Sequence, residues 1–502
     1  MSIKKNIIAN YISQIFIVII SIITLPKLIT IVGSETYGLI GFFTLMQSWL
    51  MLLDLGMSPT LTREIARYNG GVLHANNLLH FFKIMKKLFI GCAVFVVIAG
   101  LLGSDFIVTS WLKTKFIPHN ILLRSVGLMS VILAVRWIAS IYKATVVGFE
   151  KLVWFSVFNS IFAILRFVVV FLVLILIDHS PIVFFVYQLI ISILELLVIV
   201  IYVNKLLPAY DKTSSNEIYP LKDIMRFSLT IAFTSAVWVI ITQTDKLILS
   251  KLLPLSDYGY YSLAVQVAGA ITLLSGPISS AILPRLTALE AERKFDDVIS
   301  LYRSSTRLIV IIAGTVSLIL IFFCKEVIFM WTGNINMVDK VSKYVSLYAI
   351  GNFFLAIAAF PYYLQYAKGN LRFHLYGNIV FVTLLIPSLI IVVNNFGGVG
   401  AGYVWIGVNA FYLFMWVPFI NNYFVKGLNK QWYIYDILKI CIPAIITSCL
   451  LSSFLPATNN RIYIFFQLCF VGFLILLVSL IMSGDLNKMK YKLKYKFFHE
   501  RS

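Results

Sequence analysis

Charge is scarce in this sequence: only 12% of its 502 residues are charged and 60% are hydrophobic. Soluble chains average about 25% charged residues. Apolar runs of about 18 or more residues recur along the whole length, which is typical of membrane-spanning helices. The first run, residues 7–32, is too long for the apolar part of a signal peptide and lacks a small-residue cleavage site. We therefore expect the N-terminus to be retained.

Several chemical signatures are missing as well. The five cysteines are scattered without a Cys-x-x-Cys pair and the six histidines have no metal-ligand spacing, so neither a disulfide framework nor a metal site is indicated. The sequence contains no Walker motif, no Gly-rich phosphate loop and no catalytic-triad spacing. No loop approaches the size of a domain, as an enzyme with an external substrate would need. We expect no enzymatic activity and no cofactor, with H⁺ or Na⁺ as the only candidate small ligand.

The apolar runs predict an all-α polytopic membrane protein with about 14 transmembrane helices. These predicted spans cover residues 7–31, 37–61, 79–103, 121–147, 153–177, 182–204, 224–250, 257–283, 304–330, 341–366, 371–394, 398–424, 434–456 and 461–482. Lys and Arg concentrate threefold in the loops of one side, which predicts both termini in the cytoplasm. The same asymmetry accounts for the net charge of +20 without nucleic-acid binding. A twelve-span arrangement is the alternative if two runs merge.

An internal repeat divides the chain into halves. Residues 33–38 (GSETYG) lead into the second span, and residues 255–260 (LSDYGY) lead into the eighth, so Gly38 and Gly259 are 221 positions apart (259 minus 38). Asn159 and Asn378 follow a similar offset. Two six-helix halves of the same orientation are parallel repeats, which place the transport path at their interface.

This organisation predicts five segments. They are an N-terminal lobe (1–207), a cytoplasmic linker (208–223), a C-terminal lobe (224–426), an accessory hairpin of two helices (427–484) and a basic cytoplasmic tail (485–502).

The repeated entry motif resembles that of the multidrug/oligosaccharidyl-lipid/polysaccharide (MOP) exporter superfamily. Within it, the chain looks most similar to the Wzx-type O-antigen and capsular repeat-unit flippases. Residues 55–57 (LGM) and 244–250 (TDKLILS) add to the resemblance, which covers roughly residues 5–425. The resemblance implies two pseudo-symmetric, MATE-like lobes around a cavity that opens to one side at a time. The last two spans depart from the twelve-span core, which leaves the placement of the C-terminus open.

The resemblance also implies a function. The expected activity is translocation of an undecaprenyl-diphosphate-linked oligosaccharide from the cytoplasmic to the periplasmic leaflet of the bacterial inner membrane, driven by an ion gradient. We expect a monomer that works beside a polysaccharide polymerase and a chain-length regulator. The alternatives are a lipid II flippase, a multidrug/cation antiporter of the same superfamily, and a membrane glycosyl- or acyltransferase. The sugars, and the choice between O-antigen and capsule, stay open.

Positive side chains inside the predicted spans are the candidate binding residues. Arg136 and Lys143 share a face of span four, and Arg166 lies in the middle of span five. A cationic interior suits an anionic headgroup, since a diphosphate needs its charge balanced inside the membrane. The alternative is structural pairing with a buried carboxylate such as Glu195. Arg63 and Arg285, at equivalent inner ends of spans two and eight, grip a pyrophosphate or simply set topology.

Three carboxylates in the spans are candidates for ion coupling or charge balance: Asp54, Glu195 and Asp245. Glu195 continues a polar stripe with Gln188 and Ser192, and Gln47 precedes Asp54 by seven residues. Such carboxylates bind protons or Na⁺ in transporters. Alternatively, they neutralise the arginines or cap a helix, as Asp54 would near the membrane surface.

Overall fold

The protein is described by a computed structural model that covers residues 3–210, 221–456 and 458–484. Helices account for nearly all of these residues, and within those ranges no strand occurs beyond one isolated bridge between Lys113 and Pro254. Close contacts divide the chain into two compact units, Met1–Gly259 and Tyr260–Ser502. The prediction of an all-α membrane protein is confirmed.

The first unit contains eight helices and the start of a ninth. They are α1 (Ile3–Leu50), α2 (Met57–Asn69), α3 (Ala75–Phe106), α4 (His119–Gly148), α5 (Leu152–Ile164), α6 (Val170–Leu176), α7 (Pro181–Leu206), α8 (Leu221–Leu252) and α9 (Leu255–Ala291). A 3-10 turn follows α1 at Met51–Asp54, and π-helices occupy Ile107–Trp111 and Leu165–Val169.

The second unit continues from within α9. Its further helices are α10 (Phe295–Phe322), α11 (Cys324–Thr332), α12 (Ile335–Ala367), α13 (Arg372–Phe411), α14 (Val417–Phe424), α15 (Leu428–Gln431), α16 (Lys439–Phe454) and α17 (Arg461–Ser483). Two more π-helices lie at Tyr412–Trp416 and Trp432–Leu438.

Ten helical stretches among the described residues are long and apolar enough to cross a membrane. Two of them, Ile12–Asp54 with 43 residues and Arg372–Phe424 with 53, are about twice the length that a bilayer core requires. Each contains a glycine with non-helical backbone: Gly33 at φ +81° and Gly397 at φ +59°. Residues with side chains rarely adopt positive φ, so glycine suits both breaks. The predicted count of fourteen spans remains a prediction.

The break at Gly397 folds the chain back on itself. A Cβ atom on Gly400 would lie 2.6 Å from the carbonyl oxygen of Val392, eight residues earlier. In a straight helix these residues would be about 12 Å apart. The glycine therefore forms a hairpin where predicted spans eleven and twelve meet, and Gly33 lies between predicted spans one and two.

The repeated motifs contact each other within the first unit. A Cβ on Gly259 would lie 2.6 Å from the Ser34 carbonyl oxygen, and a Cβ on Gly38 would lie 1.9 Å from that of Leu255. Any side chain at either position would collide with backbone, so both must be glycine for the segments to approach this closely. Packing thus explains the glycine that the two copies share.

Apolar side chains cover the outer faces of the helices as well as the interior. On α17, Phe470, Phe473 and Ile481 are exposed, while Val471 and Ile475 are fully buried. Exposed apolar rows belong against lipid chains, while the buried row packs on neighbouring helices. In the second unit this buried row forms one hydrophobic cluster with Leu318 of α10, Phe323 at the start of α11 and Ala444 of α16.

The predicted domain boundaries remain predictions. Residues 211–220 of the predicted linker and the predicted tail, residues 485–502, lie outside the described residues. The contact boundary between Gly259 and Tyr260 falls inside α9, before the last residue of the repeated motif.

Candidate functional site

Four ionisable side chains meet in the first unit, within the predicted spans. Arg136 and Lys143 lie on α4, Arg166 on the π-helix Leu165–Val169, and Glu195 on α7. Arg136 and Lys143 share a face of α4 because seven residues make about two helical turns. Three helical segments therefore contribute to one site, which we call the cationic cluster.

Arg136 is held entirely by neutral groups. Its guanidinium donates hydrogen bonds to Gln47 Oε1 (3.0 Å), Gln188 Oε1 (2.8 Å) and Ser192 Oγ (3.0 Å). The guanidinium carbon also lies 5.1 Å from the centre of the Phe43 ring, within the range of a cation–π contact. These contacts orient the side chain but leave its positive charge uncompensated.

Glu195 binds the other two cations. Lys143 Nζ lies 2.7 Å from its Oε1, and the Arg166 guanidinium donates to its Oε2. The Glu195 side chain is 2% exposed, against 30% for Lys143 and 19% for Arg166. The carboxylate therefore lies beneath the two cations, whose outer parts remain accessible.

The π-helix gives Arg166 its position. A π-helical turn spans five residues instead of four and leaves backbone carbonyls without their usual helical donors. Helix α7 supplies donors: Tyr187 Oη donates to the Leu165 carbonyl (2.7 Å) and Gln188 Nε2 to the Arg166 carbonyl (3.2 Å). Gln188 thus binds the Arg136 side chain and the Arg166 backbone at once, coupling the two cationic residues.

The charges of the cluster do not cancel. Arg136, Lys143 and Arg166 are close enough to repel one another, and Glu195 offers one negative charge against their three positive ones. The formal charge is therefore +2. Charged groups inside a membrane line a water-filled cavity or face the protein interior rather than lipid. The exposed parts of Lys143 and Arg166 accordingly form a surface suited to an anion.

The remaining predicted residues of the first unit have contacts of other kinds. Asp54 accepts hydrogen bonds from the Ser58 backbone (3.2 Å) and hydroxyl (2.7 Å), the contact expected of a carboxylate near a helix start. Asp245 is buried, at 3% exposure, and its Oδ1 accepts from the Lys246 backbone N–H (2.8 Å). Arg63 is exposed in the middle of α2.

Arg285 lies in the second unit and is largely exposed. Its guanidinium is 4.0 Å from Glu292, which also pairs with Lys294 at 2.7 Å. The hydrogen bond from Lys294 lowers the pKa of the exposed Glu292 carboxyl. The structure thus assembles Arg136, Lys143, Arg166 and Glu195 into one site and places Arg285 in a separate surface pairing.

A second buried carboxylate, absent from the sequence predictions, organises ion pairs in the second unit. Asp436, on the π-helix Trp432–Leu438, pairs with Arg303 (2.6 Å) and Arg307 (2.9 Å), and Gln431 accepts a further bond from Arg303 (2.7 Å). The spacing of Arg303 and Arg307, four residues apart on one face of α10, was the available signal. We call Arg303, Arg307 and Asp436 the α10 triad.

Comparison with known proteins identifies the family of this chain. Residues 3–290, more than half of the chain, match the model of a family described as "Polysaccharide biosynthesis protein". The chain belongs to the polysaccharide biosynthesis protein family. The predicted family resemblance is confirmed, and the match includes all of the cationic cluster.

Solved structures with the same fold are distant in sequence from this family member. One is described as "Lipid II flippase MurJ, inward closed conformation"; it is 16% identical, with a TM-score of 0.72, and the alignment covers 97% of this chain and 99% of that one. A second, an inward-facing multidrug resistance MATE family transporter of the MOP superfamily, is 13% identical, with a TM-score of 0.61 over 82% and 96%. A third is the MATE multidrug transporter DinF-BH, at 12% identity and a TM-score of 0.59 over 84% and 94%. No curated protein matches the sequence. These likenesses confirm the predicted MATE-like fold.

Proposed function

We propose that this member of the polysaccharide biosynthesis protein family is a flippase for a lipid-linked oligosaccharide carried on a diphosphate. The lipid tail stays in the bilayer while the headgroup crosses beside the cationic cluster. The observation that carries the proposal is Arg136, whose charge is oriented by three neutral acceptors and offset by none of them. A guanidinium of this kind matches phosphate oxygens bidentately.

The charge of the cluster separates this function from its rivals. A multidrug/cation antiporter needs a net negative site, whereas this site is formally +2. A glycosyl- or acyltransferase needs an activated carboxylate or histidine facing its substrate, whereas Glu195 is buried beneath Lys143 and Arg166. A lipid II flippase would carry the same diphosphate, so it remains the nearest alternative cargo.

The expected setting follows from the same proposal. The protein would work as a monomer in the bacterial inner membrane, with both termini in the cytoplasm and beside a polymerase and a chain-length regulator. An H⁺ or Na⁺ gradient would drive the cycle. The cargo would be an undecaprenyl-diphosphate-linked repeat unit of O-antigen or capsule.

The test is translocation by purified protein in proteoliposomes. A fluorescent polyprenyl-diphosphate oligosaccharide is placed in the inner leaflet, and its arrival outside is followed by lectin capture. We expect Arg136→Ala to lose most of the activity. The matched control is Arg124→Ala, on the same helix but exposed near its start, which should keep it. Full activity in folded Arg136→Ala would overturn the proposal, and parallel vesicles carrying lipid II test the alternative cargo.

A further inference from the structure

The cationic cluster has three positive side chains, yet the sequence also supplies a carboxylate that reduces their charge. Glu195 uses both oxygens, one for Lys143 (2.7 Å) and one for Arg166. It is almost fully buried, so a ligand that approaches the exposed parts of Lys143 and Arg166 meets cations and not the carboxylate. Its influence on a ligand must therefore act through the positions and the summed charge of its partners.

Position is the first effect. Three cations in a low-dielectric region repel one another, and their mutual repulsion would spread Lys143 and Arg166 apart. A single carboxylate that bridges both holds their charged ends within the span of one small anionic group. Arg136 needs no such bridge because Gln47, Gln188 and Ser192 already fix it.

Charge is the second effect. Without Glu195 the cluster would carry +3; with it the formal charge is +2. A diphosphate esterified at both ends, as in a lipid–diphosphate–sugar, has one negative charge on each phosphate. The occupied site would then be electrically neutral, the condition under which a headgroup crosses a membrane at least cost. A monophosphate diester would leave one positive charge over.

On the basis of the proposed function, we propose that Glu195 is a positioning residue that sets the charge of the cluster to match a doubly esterified diphosphate, and so selects diphosphate-linked over monophosphate-linked lipids. This role differs from the coupling-ion role that a buried carboxylate suggests from sequence. A coupling carboxylate must release its partners to bind a proton or Na⁺, whereas a charge-setting carboxylate keeps both partners throughout transport.

The experiment measures the ratio of translocation rates for two fluorescent polyprenyl saccharides, one linked by a diphosphate and one by a monophosphate, in the same proteoliposomes. The unaltered protein should favour the diphosphate by about tenfold or more. Lys143→Gln lowers the cluster to +1 and should reduce that ratio about tenfold. Glu195→Gln raises the cluster to +3 and should slow release of both lipids. The double variant Lys143→Gln/Glu195→Gln returns the charge to +2 and should recover the preference that Lys143→Gln loses.

Matched measurements separate the competing roles. Glu195→Asp keeps the charge and should keep the preference for the diphosphate, and thermal unfolding of each purified variant identifies folding defects. A double variant with a ratio no higher than that of Lys143→Gln would overturn the inference, because a merely structural Glu195 predicts that result. So would a Glu195→Gln protein that keeps its rates and ratio but no longer responds to an imposed proton gradient. If the unaltered protein translocates neither lipid, the proposed function itself falls.

Discussion

Each half of the chain contains a buried carboxylate that bridges two cationic side chains, Glu195 in the first and Asp436 in the second. In the α10 triad both cations come from one helix, and the carboxylate receives three hydrogen bonds from them. The triad lies in the first half of α10 and connects this helix to the π-helix Trp432–Leu438. This geometry is that of a structural ion-pair network that holds two segments together.

The cationic cluster differs in two respects. Its four members come from three helical segments, and a third cation, Arg136, adds a charge with no carboxylate of its own. A buried ion pair by itself is weak evidence for function, since many serve structure alone. Arg136, a cation bound only by neutral groups, distinguishes the two sites. It allows the cationic cluster to bind an anion, whereas the α10 triad only holds helical segments together.

The largest expected effect tests this distinction directly. Arg136→Gln should lower translocation of a diphosphate-linked lipid about 100-fold, because a charged hydrogen-bonding partner contributes up to about 3 kcal/mol. Arg307→Gln, the matched change in the α10 triad, should leave the rate per folded molecule within about twofold. Rates are measured in proteoliposomes and normalised to folded protein. Equal losses of translocation rate in Arg136→Gln and Arg307→Gln would contradict the functional distinction between the cationic cluster and the α10 triad.

The second effect concerns stability. Asp436→Ala leaves Arg303 and Arg307, which are 25% and 12% exposed, without their anion and should lower the free energy of unfolding by about 3 kcal/mol. Glu195→Ala should cost slightly less, because Lys143 and Arg166 are somewhat more exposed, at 30% and 19%, and water solvates them better. Denaturant titration of both proteins in detergent gives the comparison. A greater loss of unfolding free energy in Glu195→Ala would show that the cationic cluster contributes more to stability than the α10 triad does.

A smaller effect is expected where single hydrogen bonds support each site. Trp432 Nε1 donates to Thr306 Oγ1 (2.9 Å) beside the α10 triad, and Tyr187 Oη donates to the Leu165 carbonyl (2.7 Å) beside the cationic cluster. Tyr187→Phe removes only the hydroxyl and should cost about 1 kcal/mol of stability. Trp432→Phe should cost more, because it also shortens a fully buried ring and leaves a cavity. Only Tyr187→Phe should also slow translocation, because it loosens the backbone that carries Arg166. If only Trp432→Phe slowed translocation, the α10 triad and not the cationic cluster would be the site that acts in transport.

The smallest effect is predicted for Asp54. The amide oxygen of asparagine accepts the same hydrogen bonds from Ser58, so Asp54→Asn should change stability by at most about 0.5 kcal/mol, whereas Asp54→Ala should cost about 1 kcal/mol. If Asp54 only caps, both variants respond normally to an imposed H⁺ or Na⁺ gradient. Loss of that response in Asp54→Asn would make it a coupling residue instead.

Much of this architecture follows from patterns that sequence carries locally. Apolar runs predict the helices, and the offset between Gly38 and Gly259 predicts a repeat. The seven-residue spacing of Arg136 and Lys143 places both on one face. Glu195 is a predictable partner for the arginines because a buried charge requires one.

What sequence could not provide depends on contacts between distant segments. The π-helix Leu165–Val169 has no composition of its own, and only the donors of α7 reveal why it forms. Asp436 lies among aromatic and aliphatic residues, 133 residues from Arg303, and pairing at that separation depends on how α10 and the π-helix pack. The sequence predicts two spans where α13 lies, but the hairpin at Gly397 emerges only from the backbone angles.

The π-helix at Leu165–Val169 has a consequence for the way the cluster can change during evolution. An α-helix advances about 100° per residue, whereas the wider turn of a π-helix takes in one extra residue with little added rotation, so the helices on its two sides keep their directions. Loss of one residue in this segment would restore a regular helix and leave those flanking helices in place. Only the side chains of the π-helical turn, Arg166 among them, would change direction relative to Glu195. A single codon deletion here could thus alter the cationic cluster without replacing any of its residues.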